Sequence, residues 1–279
     1  MAALKDLSTY TAIATTAVYL FGYLALRFHL TVLGVFTELG VLDERYLFAG
    51  AHFVVFLAAM IPALALFALP IGALAWLMWR RMPALHKRIA ALFRNAGLLV
   101  WTSLVLAIVA IEFLMSACLP LHDLPFGGRP EPPWLFDLLQ NPNPISRTLF
   151  FLGLTVCAMA VCAPVIAASR LPLETWGLKV LFGAAVLLAT ITVLLVPVNF
   201  GVVVMPYSMG RVEAMGKVPI PAGQRAWLLW EGKEWMTYFL ESGGRRKLVA
   251  VPTKEIDRIE VNGSDSLFDI MYGPTGERH

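Results

Sequence analysis

Glu112 is the residue whose setting most invites chemistry. It stands at Ile111-Glu112-Phe113 inside a long apolar stretch, about 10 Å from the outer end of that stretch at 1.5 Å per helical residue. An ionisable side chain at such a depth is costly, which makes it a candidate proton or cation site. The plainer and commoner role is a neutral or paired carboxylate that locks helix packing. A second polar group lies on the first apolar stretch. On a wheel of 100° per residue, Lys5, Thr9, Thr16, Tyr23 and Arg27 fall within about 40° of one another. So narrow a stripe is expected to face other helices or a water path, and packing through hydroxyl hydrogen bonds is the usual reason for one. Arg27 is expected near the level of Glu112, where the two could pair.

His52, in the second apolar stretch, reads as a packing residue. His122 and Asp123 follow the third stretch. With Glu112 they could form an outer-face metal or proton site, although their positions match no metal-ligand spacing. Trp134 suits the membrane interface. Asn199, close to Pro197, could satisfy a carbonyl that the proline leaves free. Cys118, Cys157 and Cys162 form no CxxC or Cys/His pattern and read as small apolar fillers. No catalytic residue, metal or cofactor is assigned from these patterns.

The elements that must carry these residues follow from composition. Of 279 residues 58% are hydrophobic and 15% charged, and the mean hydropathy is +0.71. Soluble domains carry about 25% charge. A soluble enzyme is therefore excluded, and so are disordered and collagen-like chains. The class is an α-helical multi-pass membrane protein with a small C-terminal antiparallel β domain. A span needs about 20 apolar residues. Five stretches qualify as transmembrane helices, at 8–28, 46–79, 97–119, 147–169 and 178–205. The second is long enough to project, tilt or kink, with Pro62 and Pro70 as the kink points. Residues 31–42 are apolar but too short to cross. They could extend the first helix, lie in the interface or re-enter around Gly34 and Gly40.

Charge distribution sets the expected orientation. Between the second and third spans stand Arg80, Arg81, Lys87, Arg88 and Arg94 with no acidic residue, which marks that loop and the N-terminus as cytoplasmic. The loop 120–146 then lies outside, stiffened by seven prolines around a short helix at 134–139. Five spans place the C-terminal part outside as well. A bacterial inner membrane is the expected location.

The chain divides at 205. Residues 206–279 hold ten basic and ten acidic residues, against twelve and nine in the first 205, so no basic field favours nucleic acid. Strands are expected at 225–230, 234–241, 246–251, 257–261 and 266–271, with a helical turn at 253–256. Asn262-Gly263 reads as the tight turn between the last two strands. Five such strands could close into a small barrel.

Three functions compete. A non-catalytic structural or accessory subunit of a membrane complex, binding partners through the outer loop and the β domain, accounts best for the lack of a catalytic constellation. A homo-oligomeric channel or small-solute transporter would use Glu112 and the polar face of the first helix. A membrane enzyme using Glu112, His122 and Asp123 ranks third. The expected partners are the lipid bilayer and other membrane subunits or copies of this chain.

Overall fold

The computed structural model describes residues 2–35, 44–81, 97–117, 119, 121, 133–141, 143–168, 176–214, 220, 224–242, 245–256 and 259–272. Six helices come first: α1 (Ala2–Val32), α2 (Glu44–Arg81), α3 (Gly97–Ser116), the short α4 (Pro133–Gln140), α5 (Pro144–Ala168) and α6 (Trp176–Asn199). Four of these helices are long and apolar enough to cross a membrane, over Ser8–Val32, Glu44–Ala63, Pro144–Ala163 and, including the turn that follows α6, Trp176–Val204. The apolar stretch Trp101–Ser116 of α3 is shorter, so among the described residues four of the five expected stretches are long enough to cross and the third is not. Their outward faces carry exposed Phe48, Val55, Leu66, Phe113, Ile166 and Leu187. In water such surface would drive aggregation; against lipid it costs nothing.

α2 runs as one helix through Pro62 and Pro70. Its 38 residues extend about 57 Å, well beyond a hydrocarbon core of about 30 Å. α1 crosses α2 at backbone contact: a Cβ on Gly22 would collide with the Tyr46 carbonyl, and one on Gly50 with the Val18 carbonyl. Small residues permit this approach, which gives membrane helices their dispersion energy. Tyr46 stacks edge-on with Tyr19 and Tyr23 beside the crossing, at 5.6 and 5.1 Å between ring centroids. α3, α5 and α6 share a second apolar cluster around Trp101, Ile108, Val161 and Ala185.

α6 ends in a π-helical turn, Phe200–Val204, closed by the Met205 amide donating to the Phe200 carbonyl at 3.2 Å. Pro197 helps explain the wider turn, since it has no amide to donate to the carbonyl four residues back. Phe200 is fully buried. Rings of His52, Phe53, Phe56 and Phe151 surround it at 5.2–5.8 Å.

The C-terminal part is a five-stranded sheet, ordered β4-β3-β2-β1-β5. Its strands are β1 (Ser208–Ala214), β2 (Arg225–Glu231), β3 (Trp235–Ser242), β4 (Arg245–Pro252) and β5 (Glu260–Ser266), and all pairings are antiparallel. Trp227, Phe239 and Leu248 line one face, packed with the helices, while Ala226, Tyr238 and Leu240 line the other with Val212, Met236 and Val251. With apolar residues on both faces, 225–231, 235–242 and 245–252 read as short apolar runs between turn residues. A 3₁₀ turn at Thr253–Glu255 meets the expected helical turn.

Four features differ from expectation here. β1 is unannounced in sequence, because Gly210 and two charges interrupt its apolar pattern. Residues 267–272 form a helix, α7 (Leu267–Tyr272), where a strand is expected. Leu267, Phe268 and Met271 are buried together, the i, i+1, i+4 spacing of a helix face. Asn262-Gly263 is therefore no hairpin turn. It lies inside β5 with Gly263 at φ 86°, where the β1–β5 register shifts between Gly210↔Ser264 and Val212↔Val261. Glycine in the left-handed region at an edge-strand irregularity is a β-bulge. A barrel does not close among the described residues: β4 and β5 are the two edges. α7 runs back towards β4, where Arg246 donates to the Ile270 and Met271 carbonyls at 3.3 and 2.9 Å.

Candidate functional site

The feature that organises the molecule is the junction between the helices and the sheet. One hydrophobic cluster runs through both. It joins Leu30, Phe53 and Val202 of the bundle to Leu135, Phe136 and Leu139 of α4, and these to Tyr207, Trp227, Phe239 and Phe268. Phe268 stands edge-on to Phe136 at 6.0 Å and to Tyr207 at 5.4 Å.

Polar contacts fix the stance of this junction. The Tyr207 hydroxyl donates to the Val202 carbonyl at 2.7 Å, and the Leu267 amide donates to the Tyr207 carbonyl at 2.9 Å. His29 Nδ1 meets the Gly201 carbonyl at 2.9 Å, which ties the end of α1 to the π-helical turn. Gly201 is the only residue type that fits there, because a Cβ would collide with the Ala25 carbonyl. Arg45 donates to the Glu231 carbonyl and lies 5.1 Å over the Trp230 ring. The start of α2 is thereby held to the end of β2, and Glu44 and Lys233 add an exposed pair at 3.8 Å. The sheet thus sits on the end of the bundle where α1 and α6 finish and α2 and α5 begin.

On the sheet side, Asp265 accepts from Arg211 at 2.7–2.9 Å and from the Trp227 indole at 2.8 Å. The indole hydrogen bond, followed by the guanidinium, holds the Asp265 carboxyl below its usual range against the opposing effect of partial burial. Burial and the nearby Glu231 charge push the Tyr238 phenol up to about 12, so it stays neutral; its hydroxyl lies 3.3 Å from Met236 Sδ.

The structure distributes the sequence candidates differently from expectation. Glu112 accepts from Thr192 of α6 at 3.4 Å. Arg27 and Glu112 form no ion pair among the described residues: α1 and α3 both pack on α6, and Glu112 turns to α6. The polar stripe of α1 meets a neighbour only in part. Tyr23 packs on Tyr46 and Arg27 is half-buried, but Thr9 and Thr16 are exposed. Thr16 returns its hydroxyl to the Ala12 carbonyl at 2.9 Å, and a hydroxyl satisfied in this way can face lipid. Lys5 lies on α1.

His52 is exposed, with its ring against Phe200. Asn199 is wholly buried and donates to the Met115 carbonyl at 3.1 Å and the Leu195 carbonyl at 2.8 Å. It therefore bridges α6 to α3, and serves Leu195 rather than Val193, the carbonyl four residues before Pro197. Trp134 is 42% exposed and packs on Phe150 at 5.5 Å. Cys162 points its thiol at the Ala189 carbonyl, 3.9 Å away, and Cys157 is free. Cys118, His122, Asp123 and most of 31–42 lie outside the described residues.

Sequence reasoning missed His29, Gly22, Gly50, Gly201 and the Arg211–Asp265–Trp227 cluster. His29 carries a signal, a histidine at the end of an apolar helix. The glycines carry none until their neighbours are known. Among the described residues no group of His, Cys, Asp and Glu could hold a metal ion. No family model, curated protein or solved structure matches the chain.

Proposed function

We propose that this chain is a non-catalytic integral membrane protein, a structural or accessory subunit of a membrane complex, that presents its sheet at the membrane surface for a partner. One observation carries the reading: the hydrophobic core is continuous from the bundle through α4 into the sheet. A tethered sensor or substrate-binding domain is usually free to move on its linker. A sheet cemented to the bundle suits a platform held at fixed height and angle. Among the described strands β5 is an edge that pairs with β1 alone, and with Val261 at 50% exposure it is a candidate for strand addition. By the basic loop at 80–94 the N-terminus is cytoplasmic, and the sheet lies across the membrane from it.

Native mass spectrometry in mild detergent, with a photo-cross-linker at Val261, tests this. The expected result is a fixed stoichiometry with one different chain, cross-linked through β5. A closed homo-oligomer with no other chain would overturn it in favour of a channel, for which the half-buried Glu112–Thr192 pair would be the first residue pair to examine. A bare monomer would overturn both.

A further inference from the structure

A cleft of about 260 Å³ opens where the start of α5 meets the sheet, lined by Gln140 and Arg147 on the helical side and by Ser208, Asp265 and Asp269 on the other. Gln140 is 92% buried, yet among the described residues its Nε2 has no hydrogen-bond partner, and neither has the buried Arg147 Nε. Buried donors without acceptors are costly, most of all on a charged group. Both side chains line the same cleft from its helical side, so an acceptor seated there would lie beside both. An anion is the natural occupant for a guanidinium beside an amide.

The facing wall adds a second requirement. Asp265 is committed to Arg211 and Trp227. Asp269 lies in the first turn of α7, is exposed, and has no ion-pair partner among the described residues. Among the described residues, then, Arg147 and Asp269 both line the cleft without an ion-pair partner and do not pair with each other. A simple anion would meet Arg147 and be repelled by Asp269; a simple cation would meet the reverse. A dipolar ligand answers both. The position of the cleft narrows the choice further: Trp134, at the start of the neighbouring α4, marks the level where phospholipid headgroups lie.

We propose that this cleft binds a phosphate–ammonium zwitterion of the phosphoethanolamine type. Phosphate oxygens accept from Arg147 and Gln140, and the ammonium donates to Asp269. The inference rests on the reading of the helices as membrane spans, but it is independent of the subunit role: a monomer without protein partners would leave it intact.

The test is native mass spectrometry of the full chain with equimolar phosphatidylethanolamine, phosphatidylglycerol and phosphatidylcholine, together with competition by soluble glycerophosphoethanolamine. Wild type should retain phosphatidylethanolamine about tenfold over phosphatidylglycerol, as expected for one charge-assisted contact. Phosphatidylcholine, whose ammonium has no N–H to donate, should bind more weakly than phosphatidylethanolamine. R147Q should lower phosphatidylethanolamine retention about tenfold. D269N, at an exposed position that folding tolerates, should bring phosphatidylethanolamine and phosphatidylglycerol to parity. Displacement by the soluble headgroup, with the same dependence on both residues, would identify a free zwitterion as sufficient; retention of lipid without displacement would identify the lipid itself. Equal retention of phosphatidylethanolamine and phosphatidylglycerol by wild type, or D269N indistinguishable from wild type, overturns the proposal.

Discussion

At the scale of single residues, Asp265 shows how a charge is made useful at the sheet surface. Its carboxylate receives an indole N–H and a bidentate guanidinium, so its folded pKa lies below the unfolded value. Such a group contributes stability above its unfolded pKa and loses it as pH falls through the folded pKa. Arg211 is more than half exposed, so solvent screens much of the ion pair, and the indole bond supplies the firmer part. D265N should cost about 1–2 kcal/mol at pH 7. It should also flatten the fall in melting temperature expected of wild type as pH drops through and below the usual carboxylate range. Thermal melts followed by circular dichroism at stepped pH check this. An unchanged pH profile in D265N would show that other carboxylates govern acid unfolding. Asn199 makes a related point inside the bundle. One buried amide joins α6 to α3 by bonding to the Met115 carbonyl while also serving a carbonyl of its own helix, so the wide turn that follows starts from a fixed point.

At the scale of elements, glycines set how closely helices approach. Gly22 and Gly50 let α1 and α2 touch backbone to backbone, and Gly201 does the same between the π-helical turn and α1. Alanine at any of the three must push two helices apart, which should cost about 1–3 kcal/mol, as overpacking does. Gly153 and Gly183 are helical glycines with nothing within 4 Å of an added Cβ. Alanine there should be neutral or stabilising by up to about 1 kcal/mol through helix propensity. Denaturant titration of the five variants in detergent checks the contrast, and a loss at Gly153 equal to that at Gly22 would contradict it. The same scale explains the misread end of the sheet. Asn262-Gly263 has the composition of a hairpin turn, but β1 supplies a strand that pairs with β5 on both sides of it, at 260–261 and 264–266. The glycine is spent on a bulge, and the chain continues into α7.

At the scale of the whole molecule, the consequential feature is that bundle and sheet share a core. Phe268 lies 98% buried between Phe136 of α4 and Tyr207. F268A should cost about 3–5 kcal/mol and loosen the sheet from the bundle without unmaking either. Hydrogen exchange should show faster exchange in α4 and α7, with protection kept in α1, α2 and the centre of β3. Uniform deprotection of the whole chain would show instead that sheet and bundle unfold as one cooperative unit. A platform held by this junction should also lose its partner in F268A while the helices still fold, which links the stability measurement to the proposed role.

Composition and hydropathy were enough to read helices long and apolar enough to cross a membrane, because a span is recognised by about 20 successive apolar residues. β2, β3 and β4 were legible as short apolar runs bounded by Gly, Ser and Pro turn residues, because a sheet packed on both faces makes its strands almost continuously apolar. Glu112 was visible as an anomaly for the same reason, a charge where none is cheap. Which partner Glu112 meets, which glycines touch, and whether Asn262-Gly263 turns or bulges depend on segments distant in sequence, and no local pattern encodes them. His29 finds Gly201 across 172 positions, and Arg45 finds Glu231 across 186. Only the tertiary structure brought Gln140, Arg147 and Asp269 to one cleft. Their pairing state depends on what lies opposite each of them, and that is a property of packing and not of sequence.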